Sequence, residues 1–462
     1  MEMGIAGRAF RPATAEKSSR NRRLADGIRL SIAIVLAALF LAGPIEATAQ
    51  ESTPSPAPTA AGTPASAADL APAEATRAWL ETVPSDQRAR SDAYFEGKYW
   101  LLLWGFLVSV TISLLLLGSG ASARIRDYAE KRTRFKFLQV VIYAVPFVLL
   151  TSLLAFPLSV YENFYREHAY EMATHTFGAW FKEQMIGLAL DIVAASLFLP
   201  VLYAVFRHAR RTWWLWASGA ATLFVLILMM IAPVYIAPLF NKYKPIEDAT
   251  IRDPILAMAK ANEIPVKQVF EVDASKQTKR ISANVSGFLG TTRIALNDNL
   301  LKQCTLPEIH LVMAHEMGHY ILGHGAKLVI AFGLMMLFTF GVARATFDGA
   351  VKRWGQRWGV RDIADPAGLP LLTLIFVLVF FVLTPVDNSI TRIIEREADA
   401  FAINAAREPD GFAKVALKLG AYRKMDPGPI EEIIFYDHPS GRARIRMAMD
   451  WKAAKLPAGQ IR

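Results

Sequence analysis

Residues 369–399 read LPLLTLIFVLVFFVLTPVDNSITRIIEREAD. The first half, Leu369 to Leu383, carries no charge and, extended into its flanks, approaches the roughly 20 apolar residues that cross a bilayer. In the second half Ile390, Ile393, Ile394, Ala398, Phe401 and Ala402 recur at helical spacing, which predicts a helix with one apolar face. Glu395 and Asp399 stand four apart and share a face of it. The chain therefore leaves a membrane span and at once presents two carboxylates.

Five further stretches are nearly or wholly free of charge: Trp100 to Leu117, Phe137 to Leu158, Met185 to Phe206, Trp213 to Ile236 and Leu328 to Ala343. The 462-residue chain is 53% hydrophobic and only 20% charged, with a mean hydropathy of +0.28. That is far more apolar than an ordinary soluble protein, and six membrane helices are expected. An ionisable group inside a span is costly and usually faces a cavity; Asp191 is expected either there or near the interface.

The formal charge of +10 is concentrated between these helices. Arg124, Arg126, Lys131, Arg132, Arg134 and Lys136 fall in one loop, Arg207, Arg210 and Arg211 in a second, and Arg344, Lys352, Arg353, Arg357 and Arg361 in a third. The positive-inside rule assigns such loops to the cytoplasm. The segments from Ala237 to about Gly325 and beyond Pro385 then lie on the outer side. Charge placed this way argues for membrane lipids as neighbours and against nucleic acid. The single cysteine, Cys304, excludes an intrachain disulfide and a thiolate-rich zinc site; it reads as a small buried apolar residue.

The chain begins with a basic leader and an apolar stretch, Leu30 to Ala42, followed by Ala47-Thr48-Ala49, a small-residue cleavage pattern. Residues 1–49 read as a signal peptide or an uncleaved signal anchor, and the Pro- and Ala-rich residues 50–90 as a disordered linker. A four-span N-terminal membrane domain over 91–236 and a second domain over 237–462 complete the expected organisation. The second domain includes two further spans, at about 325–345 and 368–388.

Working outward from Glu395, the outer segment contains His315-Glu316-Met317-Gly318-His319, an H-E-x-x-H motif. It follows a helix start: Thr305 as cap, Pro307 in the first turn and Glu308 three residues after the cap. On a helix His315 and His319 project from one face, where they can bind one zinc ion with Glu316 beside it as general base. A catalytic zinc needs three protein ligands and one open position. The charge argument places Glu395 on the same side of the membrane, so Glu395 is the expected third ligand, with Asp399 as acceptor for a ligand imidazole N–H. Glu397 is expected to face elsewhere and pair with a nearby Arg, and His324 to line or shape the site. His168 and His175 have no partner and read as surface or interfacial residues. Two imidazoles and a carboxylate would also accept cobalt or manganese.

These residues, with Pro238-Leu239-Phe240-Asn241-Lys242-Tyr243, Ser282-Ala283-Asn284-Val285-Ser286-Gly287, Arg293-Ile294-Ala295-Leu296, His438-Pro439 and Arg444, closely resemble the type I CAAX prenyl endopeptidases, membrane-embedded zinc proteases of the gluzincin kind. The resemblance runs from about Ser91 to Met449. It implies a mainly α fold: a multi-pass barrel of membrane helices enclosing a chamber, with a small α/β zinc-metalloprotease domain. It also implies an edge strand at Asn284 that pairs with substrate, β-augmentation being a common way to hold a peptide, and His438 and Arg444 as donors to the substrate or developing oxyanion. The expected partners are peptides or proteins, lipid-modified ones among them. The leader and the Ala- and Arg-rich composition point to a bacterial inner membrane, with the zinc site toward the periplasm. Two other readings are a non-proteolytic chamber binding isoprenoid, lipid or peptide, and a quality-control protease with unprenylated substrates.

Overall fold

The computed structural model describes residues 70–287 and 292–455; the signal-like leader and residues 50–69 of the expected linker lie outside the described residues. In chain order the main elements are α1 (Pro72–Glu81), α2 (Ser85–Gly118), α3 (Ala121–Arg132), α4 (Lys136–Ala169), α5 (Phe177–His208), α6 (Trp213–Leu239), β1 (Tyr243–Pro245), α7 (Ala249–Ala261), β2 (Val269–Val272), β3 (Ala283–Ser286), β4 (Arg293–Asn297), α8 (Asp298–Gln303), α9 (Leu306–Ile321), α10 (His324–Trp358), α11 (Leu369–Ala406), α12 (Pro409–Leu419), α13 (Pro429–Phe435) and α14 (Gly441–Lys455). The fold is mainly α with a small sheet.

Among the described residues six helices are long and apolar enough to cross a membrane: α2, α4, α5, α6, α10 and α11. Their most apolar windows are only 6–33% buried, so most of the apolar surface of these staves is not covered by protein. Asp191, midway along α5, is exposed. The staves are knit at one end, where Tyr143, Tyr203, Phe206, Trp213, Phe340 and Phe347 form a buried cluster. The basic loops meet at this end. Asp365 is buried between Arg126, at 2.5 Å, and Arg361, at 3.0 Å, and Arg361 also reaches Glu130 at 2.7 Å.

The linker does not extend to residue 90. Pro72–Glu81 is a helix whose Trp79 is fully buried among Leu311, Ala402, Phe412 and Ile445. Its Ala-rich composition resembles linker, but Ala75, Thr76 and Trp79 recur at helical spacing and bury one face.

The sheet has the order β1-β2-β4-β3. Strands β2 and β4 are parallel, β1 and β3 pair antiparallel to them, and Asn284 lies opposite Ala295. Helix α9 is wedged between two cores: Leu311 and Ala314 face the cluster around Trp79, while Ile309, Met313 and Met317 face the sheet. The remaining stripe of α9 carries His315, Glu316 and His319.

Candidate metal centre

Helix α9 starts where the sequence predicts. Pro307 is in its first turn, and the Glu308 carboxylate accepts the Thr305 backbone N–H at 2.7 Å, closing a capping box. Glu308 also accepts from Lys418 at 2.7 Å, which ties α9 to α12. Helix α9 packs tightly on α11 at Gly318, where a β-carbon would meet Phe401 side-chain atoms at 3.1–3.3 Å. Glycine there lets the two ligand-bearing helices approach.

That approach brings His315, His319 and Glu395 together, with one donor atom from each within 4.8 Å of the others. The two imidazole Nε2 atoms are 3.0 Å apart. Glu395 Oε2 lies 3.2 Å from His315 Nε2, and Oε1 lies 3.5 Å from His319 Nε2. Behind His315, Asp399 Oδ1 lies 2.9 Å from the buried Nδ1. Asp399 is itself gripped by Arg444, through Nε at 2.8 Å and a second nitrogen at 2.5 Å. Arg444, expected as a donor to substrate, commits two of its nitrogens to Asp399 and also lines a cavity beside the cluster.

The electrostatics follow from burial and these carboxylates. Burial alone would lower the pKa of His315, but the carboxylates of Asp399 and Glu395 beside it carry it up to about 10. His319 is pushed down to about 4, by burial and then by the charge on His315. Burial pushes the Glu316 carboxyl up to about 7. Two imidazoles and a carboxylate converging in one small space are a donor set suited to a divalent cation of borderline softness, so these residues fit a bound metal.

Beside this cluster a cavity of about 240 Å³ runs from Ser282 and Ala283 to His315, Glu316 and His438. His438 Nε2 is 3.3 Å from Glu395 Oε2, and its Nδ1 bonds Asp437 at 2.9 Å. Asp437, which the sequence reading did not single out, orients that ring; its only sequence signal is its place next to His438. Asn284 is exposed on β3, the sheet edge. Glu397 pairs not with an Arg but with Lys327, at 2.5 Å, and with His324, at 3.1 Å. His168 and His175 are tied to backbone carbonyls, His168 to that of His175 and His175 to that of Gln277. Cys304 is partly buried, and burial pushes its thiol up to about 11.

Comparison with known proteins agrees with this geometry. Residues 71–242 match the family described as "CAAX prenyl protease N-terminal, five membrane helices", and residues 245–452 match peptidase family M48. The chain is 30% identical over 362 residues to the uncharacterized metalloprotease YhfN of Bacillus subtilis, covering 78% of this chain and 85% of that one. It is 25% identical over 420 residues to the CAAX prenyl protease 1 homolog of Homo sapiens, again covering 78% and 85%. The crystal structure of S. mikatae Ste24p superposes with a TM-score of 0.66 at 21% identity, covering 80% of this chain and 89% of that one. Fold and matches together define an integral multi-pass membrane metalloprotease. The chain belongs to peptidase family M48.

Proposed function

We propose that this chain is a zinc endopeptidase in which His315, His319 and Glu395 hold one zinc ion and Glu316 is the general base. The observation that carries the reading is the convergence of those three donors beside a half-buried Glu316. Zinc held there would supply a Lewis acid able to lower the pKa of a bound water toward about 7. Glu316 takes the proton of the attacking water and returns it to the leaving amine. His438, beside Glu395 and held by Asp437, donates to the developing oxyanion, and Arg444 holds Asp399 against His315. An extended substrate adds to the free edge of β3, with Asn284 contacting its backbone.

Peptides that approach from the membrane, prenylated ones among them, are the proposed substrates. The knot of Arg126, Arg361 and Asp365 supports an orientation with the metal site outside, toward the periplasm of a bacterial inner membrane. Helix α10 runs from His324 beside the metal cluster to Trp358 near those basic loops, roughly 50 Å at 1.5 Å per residue. An intact Glu316 argues against a chamber that merely binds ligand, since a structural metal has no use for a general base.

The test is cleavage of a quenched peptide, farnesylated and unmodified, by the purified protein with and without phenanthroline. Chelator-sensitive cleavage restored by zinc is expected. Failure of the metal-loaded protein to cut either peptide would refute the reading, and faster cutting of the farnesylated form would assign the lipid a role.

A further inference from the structure

The two imidazoles of the proposed metal site are backed differently. His315 leans on Asp399, as the spacing of α11 predicts. His319 leans on His324: the two Nδ1 atoms are 2.8 Å apart, and His324 Nε2 is 3.1 Å from Glu397 Oε2. Glu397 in turn meets Lys327 Nζ at 2.5 Å. His324 is fully buried, whereas Glu397 and Lys327 reach the surface.

We propose that His324, backed by Glu397 and Lys327, is a positioning residue that fixes the tautomer and orientation of His319 for the metal; this rests on the ligand set given above. The hydrogen positions follow from the geometry. A metal takes the lone pair of His319 Nε2, the nitrogen that faces His315 and Glu395, so the proton of that ring sits on Nδ1. Its neighbour, His324 Nδ1, then accepts, which leaves the second proton on His324 Nε2, aimed at the Glu397 carboxylate. Each donor meets an acceptor along the whole chain, and the lysine neutralises its end. Backing groups of this kind fix the ring and raise ligand basicity. Here the acceptor is a neutral imidazole, with the carboxylate one ring further out.

The backbone shows why this arrangement exists. On a continuous helix a residue five positions after His319 would point roughly 140° away. The helix instead stops, and Gly323, in the left-handed conformation at φ 66°, turns the chain so that α10 begins at His324 with its ring returned onto His319. A side chain at position 323 would be strained in that conformation. Lys327 lies one turn further along α10, and Glu397 lies two residues after Glu395 on α11. The relay therefore fastens the start of membrane helix α10 to the two ligand-bearing helices, α9 through His319 and α11 through Glu397.

The experiment measures zinc affinity by competition with a chromophoric chelator on the purified full-length protein, with thermal unfolding alongside. His324→Phe keeps bulk but removes the acceptor, and a 10–100-fold loss of affinity is expected. His324→Asn puts an amide oxygen near the lost Nδ1 and should recover most of that loss. Glu397→Gln, at a half-exposed site, should weaken zinc binding several-fold with little change in melting temperature. It decides the matter if His324→Phe does not fold. Wild-type affinity in Glu397→Gln and in a folded His324→Phe, or no recovery by His324→Asn, would overturn the proposal. His315→Ala is the control that separates the two readings: if it too leaves zinc binding unchanged, the ligand set is wrong, whereas if it alone abolishes binding, only the relay fails.

Discussion

At the scale of single residues, holding the metal and using it fall to different side chains. Replacing Glu316 by Gln keeps size and polarity but removes the base, so peptide hydrolysis should fall by about 10²–10⁴-fold while metal content stays at the wild-type level. Steady-state cleavage with metal analysis on the same preparation checks this, and a zinc-loaded Gln variant with wild-type turnover would refute the role. Which residues form the cluster was legible because i,i+4 spacing holds wherever a helix does: His315 with His319, and Glu395 with Asp399. The partners of Glu397 were not legible. Its contacts arise from a helix break at Gly323 and from Lys327 on a different helix, neither of which periodicity reports.

At the scale of elements, α9 is held by its cap and by the helices on either side. Burial alone would raise the pKa of Glu308, but Lys418 and the Thr305 amide outweigh it and hold the carboxyl below its ordinary 4.5. Its ionised form therefore stabilises the fold above that value, and the contribution is lost as pH falls below 4.5. Replacing Glu308 by Ala strips the cap and leaves a mostly buried Lys418 without its carboxylate, at a cost of about 1–3 kcal/mol. Thermal unfolding at neutral pH should show a lowered melting temperature, with the gap from wild type narrowing in acid; a constant gap would contradict the assignment. Helix α1 makes the opposite lesson. Its Ala- and Pro-rich composition looks like linker, yet Trp79 locks it between α9 and α14. Trp79→Ala should cost about 3–5 kcal/mol, seen as a lower melting temperature and early loss of cleavage on warming. An unchanged melting temperature would mean that α1 is dispensable.

At the scale of the whole molecule, hydropathy and charge made six spans readable, because hydrocarbon imposes length and apolarity on whatever crosses it. The small sheet was less legible: its strands are only three to five residues long, and their pairing is set by packing on α9 rather than by local pattern. Orientation rests on the basic loops and can be checked in intact cells. In a Cys304→Ser background, Lys267→Cys on the metal side should react with a membrane-impermeant maleimide, and Lys352→Cys only after permeabilisation. The reverse pattern would turn the site toward the cytoplasm. The claim on which all else depends is that two helices separated by two membrane crossings supply the ligands of one zinc. Zinc-edge X-ray absorption on the purified protein tests it most directly. Two imidazole nitrogens and at least one oxygen at about 2.0–2.2 Å are predicted, with the metal lost from Glu395→Ala. An unaltered spectrum and full occupancy in Glu395→Ala would contradict it.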